Sequence, residues 1–238
     1  MSLILNYNHA RLVGTVSKIE KGRVIISAKR LSEKEDNIIV CFPDKETFPP
    51  CDLGDRVVVE GKLRSHRVRV KGNPNKLEIF VAAELFEKTN LTEDENTADI
   101  TGYVNKTPDL RTTPLGKTIT DISVVCQQRV LSNGKLIQDV IPCIAWNNVA
   151  EYICSTAKKN FFIKIFGRIE ERKYIKDDVE HTVHELSAIA STISIPDNLR
   201  DVFDENIFDE NLAYESSEQI CVDENSKGTE KSPDESQI

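Results

Sequence analysis

Apolar residues fall on alternate positions through most of the N-terminal half of the chain. Leu12, Gly14 and Val16 share one side of the run 10–19, and Val24, Ile26 and Ala28 share one side of 23–30. A period of two predicts half-buried strands, and Lys21-Gly22 between them predicts a tight turn. A third strand is expected at 38–42, a fourth at 55–63 and a fifth at 77–86. Between the third and fourth, DKETFPPCDLGD carries Pro49 and Pro50, which exclude a helix of any length there.

The period changes beyond Trp146, the only tryptophan. Val149, Ile153 and Ala157 recur at every fourth residue with Ala150 and Cys154 beside them, so 147–159 reads as a short amphipathic helix with an asparagine cap. Period two then returns. Phe161, Ile163 and Ile165 alternate with Phe162, Lys164 and Phe166, and the second set, extended by Arg168, interleaves rings with cations. Asn133-Gly134 within LSNGKL predicts a hairpin turn, and Lys176-Asp177-Asp178 a second hairpin tip.

The order of these features resembles a known family. A strand ending IPCIAW, NNVAEY opening a helix, KK before the next strand, GRIEERKY, and upstream TGYVNKTPDLRTTPLGKTITDISVV are similar to the bacterial and phage-type single-stranded DNA-binding proteins over 98–195. The resemblance implies an OB-fold, a five-stranded barrel with a helix between its third and fourth strands. It also implies single-stranded DNA as a partner, and it places Trp146 and Tyr174 where the family has rings on which bases stack. Two further stacking positions fall near Val130 and at Val140, neither of which carries a ring. The family assembles four OB-folds, so a chain with two resembles its homodimeric members.

A second copy of the pattern precedes the first. HARLVGTV parallels TADITGYV, NIIVCF parallels DVIPCIAW, VVVEGKLRSHR parallels IKIFGRIEERK, and LEIFVAAE parallels TVHELSAI. The expected architecture is all-β: two tandem five-stranded OB-fold barrels, at 1–89 and 98–195, with a short polar linker at 90–97. The first barrel has a proline-containing loop in place of the helix. Residues 196–238 form an acidic tail expected to be disordered.

Charge sharpens this division. The chain carries 31 Lys/Arg and 39 Asp/Glu, a net −8, which by itself argues against a polyanionic partner. Divided by segment, residues 1–89 hold 16 basic and 12 acidic groups, 90–195 hold 12 and 14, and 196–238 hold 3 and 13. The tail's net −10 therefore outweighs the net +2 of the rest of the chain. The repeated FDEN within that tail makes Phe203, Ile207 and Phe208 a candidate docking motif for replication or repair proteins. Cys41, Cys51, Cys126, Cys143, Cys154 and Cys221 show no CxxC spacing and read as buried reduced thiols. Without a long apolar run or a signal-peptide pattern, a cytoplasmic protein is expected, associated with the nucleoid when bound to DNA.

Enzymatic motifs are missing: there is no Walker loop, GxGxxG or nucleophile elbow. Glu170-Glu171 and Asp177-Asp178 read as solvated charges. His181 and His184 stand three apart in a strand and face opposite ways, so neither a metal nor another cofactor is expected.

Single-strand binding needs rings for the bases, worth ~1 to 3 kcal/mol each, and cations for the phosphates. Trp146, Tyr174 and Phe166 are the candidate rings. Trp146 could fill the barrel or lie outside it; Ile141, Cys143 and Ala145 supply an opposite face small enough for the interior, which favours the surface. Phe166 serves either a base or a contact between copies. Lys164, Arg168, Arg172, Lys173, Arg111 and Lys117 are candidate phosphate contacts. In the first half, KLRSHRVRVKGNPNK holds six Lys/Arg in fifteen residues and no acid. Arg64, Arg67, Arg69 and Lys71 there suit phosphate, or else protect an edge strand. Rings are sparse in that half, with Phe42, Phe48 and Phe80 as its candidates. The expected function is non-enzymatic coating of single-stranded DNA without sequence preference in replication, recombination or repair. The alternative is an interaction module that recruits replication partners and binds DNA weakly.

Overall fold

The computed structural model describes residues 7–42, 49–68, 76–130, 136–176 and 179–194, with the backbone alone for 127–130, 136, 174–176, 179–181 and 194. In chain order these form β1 (Asn8–Glu20), β2 (Arg23–Lys29), β3 (Glu35–Cys41), β4 (Arg56–Val68), β5 (Lys76–Lys88), β6 (Glu95–Val104), β7 (Arg111–Thr112), β8 (Thr118–Val130), β9 (Leu136–Trp146), α1 (Asn147–Thr156), β10 (Phe162–Lys176) and β11 (Val179–Ser194). Phe48, Arg69, Lys71, Cys221 and the tail with Phe203, Ile207 and Phe208 lie outside the described residues. No described helix is long and apolar enough to cross a membrane.

Two five-stranded rings close in the same order. The first runs β1-β2-β3-β5-β4 and returns to β1; the second runs β6-β8-β9-β11-β10 and returns to β6. All neighbours are antiparallel except β3 with β5 and β9 with β11, which are parallel. This is the OB-fold connectivity implied by the resemblance. Alternation explains the interior: Leu12, Val24, Ile26, Val40, Val59, Leu63 and Val81 fill the first ring, and Ile100, Ile122, Val124, Ile141, Ile163, Ile165 and Leu186 the second. The helix α1 plugs the second with Ala150 and Ile153.

The repeat extends to side-chain detail. Asn8 gives its amide to the Leu63 carbonyl and accepts the Leu63 N–H, both at 2.8 Å; Asn96 does the same with Ile169 at 2.7 and 3.0 Å. Both fourth strands bulge at a glycine, Gly61 or Gly167, where a Cβ would lie 2.1 Å from the carbonyl oxygen of Ala82 or Ser187. The corner of each barrel brings two backbones too close for any side chain.

Two local expectations need correction. The helix ends at Thr156 rather than 159, and no asparagine side chain caps it. Trp146 occupies the cap position with extended backbone, and Asn147 enters at φ 51°. The strands at the fourth and fifth positions are longer than expected, because the hairpins continue beyond the barrel that generates them.

That continuation joins the halves. β1 and β6 pair antiparallel about Ala10 and Ala98, merging both rings into one sheet. Segment 89–94 is held by Arg56, whose guanidinium donates to the carbonyls of Leu91, Thr92 and Glu93 and pairs with Asp94. Past Leu63, β4 leaves its own barrel and lies against β9; past Ile169, β10 leaves its barrel and lies against β3. In each crossing a fully buried aspartate accepts a backbone N–H from the other half. Asp139 takes that of Ser65 at 3.1 Å and Asp36 takes that of Glu171 at 3.1 Å.

Of the expected solvated pair, Glu170 is therefore buried and Glu171 half-buried. Glu170 pairs with Arg30 of the first half at 3.4 Å and with Arg168 at 2.7 Å, because β10 carries it into the seam. Arg64 is also moved from its expected place on phosphate: its side chain is 12% exposed and pairs with Asp139 at 2.7 Å.

His184 lies in the same seam with Nε2 3.0 Å from the Asn37 carbonyl and a buried, unpartnered Nδ1. Burial holds its pKa below the ordinary histidine value, as does Lys76, against the pull of Glu171 and Glu78. The unfolded chain then binds the proton more readily, so the stability from this group is complete above the ordinary histidine pKa and is lost as pH falls from there towards the folded value. Urea unfolding across that window should show His184→Gln, which keeps an N–H for Asn37, losing less stability on acidification than the parent. An identical pH dependence would assign the decline to other groups.

Candidate nucleic-acid interface

The outer face of the second barrel brings together three of the candidates. Ile141, Cys143 and Ala145 point into the barrel, so alternation puts Trp146 outside, where it is half-buried. Trp146 stands opposite Ile119 in β8, and Ile119 stands opposite Arg111 in β7. The two residues thus lie in one row across three strands, their backbones about 10 Å apart at ~4.8 Å per strand. Arg111 is 57% exposed and pairs with the equally open Asp121. Lys117, exposed, closes a turn in which its N–H donates to Thr113 Oγ1 at 3.1 Å. At the tip of this turn Leu115 is 88% exposed.

Lys164 and Phe166 lie elsewhere, on the sheet shared by β1, β6 and β10. Phe166 is 39% exposed. Lys164 pairs with Asp99 at 2.8 Å and sits 5.4 Å from the Tyr7 ring centroid. Tyr103 and Phe162 meet edge to face at 5.6 Å on the same sheet. Arg168 is tied to Glu170 at the root of the crossing hairpin.

That hairpin carries the remaining second-half candidates towards the first barrel. Arg172 forms a two-pronged pair with Glu185, at 2.7 and 3.3 Å, and Lys173 approaches Glu171 at 3.6 Å. Tyr174 follows in β10, opposite His181. Arg67 has the mirrored position in β4, half-buried, where that strand crosses to the second barrel.

Of the first-half candidate rings, the two among the described residues are spent on packing, whereas Tyr7 is 42% exposed. Phe42 is in the core, edge to face with Phe86 at 5.3 Å, and Phe80 is buried under His66 at 5.0 Å. Burial likewise pushes the Cys126 and Cys143 thiols up, which keeps them protonated at neutral pH.

Sequence reasoning passed over a group of exposed lysines in the second barrel. Lys106, Lys158 and Lys159 are exposed, and their two segments are joined where the Lys159 N–H donates to Thr107 Oγ1 at 3.1 Å. The adjacent Lys158-Lys159 pair was visible, but its approach to Lys106 depends on β6 and β10 ending side by side.

Comparison with known proteins bears on the second half first. The sequence model of the single-strand binding protein family matches residues 95–195. "Single-stranded DNA-binding protein 2" of Streptococcus agalactiae serotype V is 33% identical over 88 residues, 37% of this chain and 67% of the relative. The "Single-stranded DNA-binding protein" of Clostridium tetani is 33% identical over 95 residues, 39% of this chain and 66% of its own length. In fold, a deletion mutant of the single-stranded DNA binding protein from Thermus aquaticus superposes with a TM-score of 0.62, covering 82% of this chain and 98% of that one at 18% identity. The family model thus matches the second half, whereas likeness of fold spans both halves.

Proposed function

The chain belongs to the single-strand binding protein family, and we propose that it coats single-stranded DNA without sequence preference, as a non-catalytic protein of replication, recombination or repair. The observation that carries the reading is the row formed by Trp146, Ile119 and Arg111, with Lys117 in the adjoining β7–β8 turn. A ring beside cations, on the strand 2–3 face that OB-folds use for oligonucleotides, stacks a base while its phosphate meets the guanidinium. Every base has a π-face, so such contacts discriminate little between sequences. Tyr174, Arg172 and Lys173 extend the surface along the crossing hairpin. The chain acts in the cytoplasm as a homodimer, with the Phe166 face against a second copy and the acidic tail recruiting replication or repair proteins.

Competition binding tests this. Labelled oligo-dT should be displaced by unlabelled single strands but not by duplex of equal length. Affinity should fall with salt at a log–log slope of ~0.7 per phosphate contact. Equal displacement by duplex, or no binding of oligo-dT, would leave only the recruiting role.

A further inference from the structure

We infer that the chain presents one single-strand site, on the second barrel, and that the matching face of the first barrel has become a packing and docking face; this rests on the single-strand reading above. The barrels align residue by residue. Val40 of β3 pairs with Val81 in the first parallel ladder, and Cys143 of β9 with Leu186 in the second. Val81 in turn stands opposite Leu63, and Leu186 opposite Ile169, the two residues bonded by Asn8 and Asn96. Val40 therefore corresponds to Cys143. Trp146 follows Cys143 by three residues, and the residue that follows Val40 by three is Pro43, which has no aromatic face. The far end of the row has no counterpart either. Arg111 and Lys117 belong to the long segment between β6 and β8, which includes β7, whereas Lys21-Gly22 alone joins β1 to β2. A two-residue turn has no room for a strand that would carry a cation beside β2.

The strand 2–3 face of the first barrel carries a small apolar layer instead. Val24, Ile26 and Ala28 point inward, so Ile25 points out, and across the ladder it meets Ile39. Ile39 and Cys41 are 5% and 2% exposed; they pack with Phe80 in a cluster separate from the barrel core, with Ile25 and Ala82 beside them. Phe80 is itself buried, beneath His66. The start of β3 is taken by the other half, where Asp36 accepts the Glu171 N–H at 3.1 Å and His184 Nε2 lies 3.0 Å from the Asn37 carbonyl. Base stacking needs a ring open to solvent, and among the described residues this face has none. Its area serves packing and the crossing hairpin. Two copies of the chain therefore offer two sites, one on each second barrel.

Stoichiometry in the full chain reads this. Calorimetric titration with an oligo-dT of about four nucleotides, the low end of OB-fold site sizes, should saturate at one oligomer per chain. Trp146→Ala should weaken that binding about tenfold or more. Lys29→Gln, whose side chain is 62% exposed on the outer face of β2, should leave it unchanged. Saturation at two oligomers per chain overturns the inference. So does a Trp146→Ala variant that binds one oligomer with the parent's affinity, or a loss in Lys29→Gln matching that in Trp146→Ala. Should Trp146→Ala fail to fold by circular dichroism, Arg111→Gln on the open β7 decides, with an expected drop of about 0.7 in the salt slope; an unchanged slope overturns the inference. A parent chain that binds oligo-dT of neither four nor about twelve nucleotides overturns the single-strand reading itself.

Discussion

Replacing Trp146 with alanine should weaken binding of oligo-dT by ~1 to 3 kcal/mol, the usual contribution of one stacked base. The parent chain should lose tryptophan fluorescence as the oligomer saturates it, and with a single tryptophan the signal reports this site alone. Trp146→Phe keeps a ring on the same face and should recover part of the loss, which an effect through packing at the start of α1 would not produce. Affinity is read by anisotropy of a labelled oligomer, so that variants without tryptophan remain measurable. Unchanged emission at saturation, or an alanine variant that binds like the parent, would remove Trp146 from the interface.

The largest loss of stability is expected at Asp36. It is fully buried in the seam, accepts Arg30 Nε at 2.6 Å and the Glu171 N–H at 3.1 Å, and stands between the halves. Asp36→Ala removes one partner of a buried pair and leaves the Glu171 N–H without its acceptor, a change that costs ~3 to 5 kcal/mol. For a chain of this size the melting temperature should fall by roughly 10 °C. Thermal and urea unfolding both measure it. A loss below ~1 kcal/mol would mean that water enters the seam and that the crossing hairpins do not hold the halves together.

Most of the barrel was legible along the chain because a β-barrel interior is written in period two. Leu12, Val24 and Ile26 in one half, and Ile141, Ile163 and Ile165 in the other, are apolar at the positions that the pleat turns inward. The repeat HARLVGTV and TADITGYV placed two such barrels in tandem, and each copy is preceded by an asparagine, Asn8 or Asn96, that bonds its own fourth strand in the same way. The outward direction of Trp146 was readable from the small residues that alternate with it.

Alternation says which side of a strand a residue occupies but not what it meets there. Arg64 and Glu170 looked like solvent-facing charges because each is polar at a strand end, and only the crossing of the two hairpins set them against Asp139 and Arg30. The row of Trp146 with Arg111 is likewise a product of register across β9, β8 and β7, joining residues far apart in sequence. Local period determined the two barrels, since it follows from the backbone of each strand alone. Long-range pairing decided the seam and the candidate site, since a charge finds its partner only after the strands that carry both are in place.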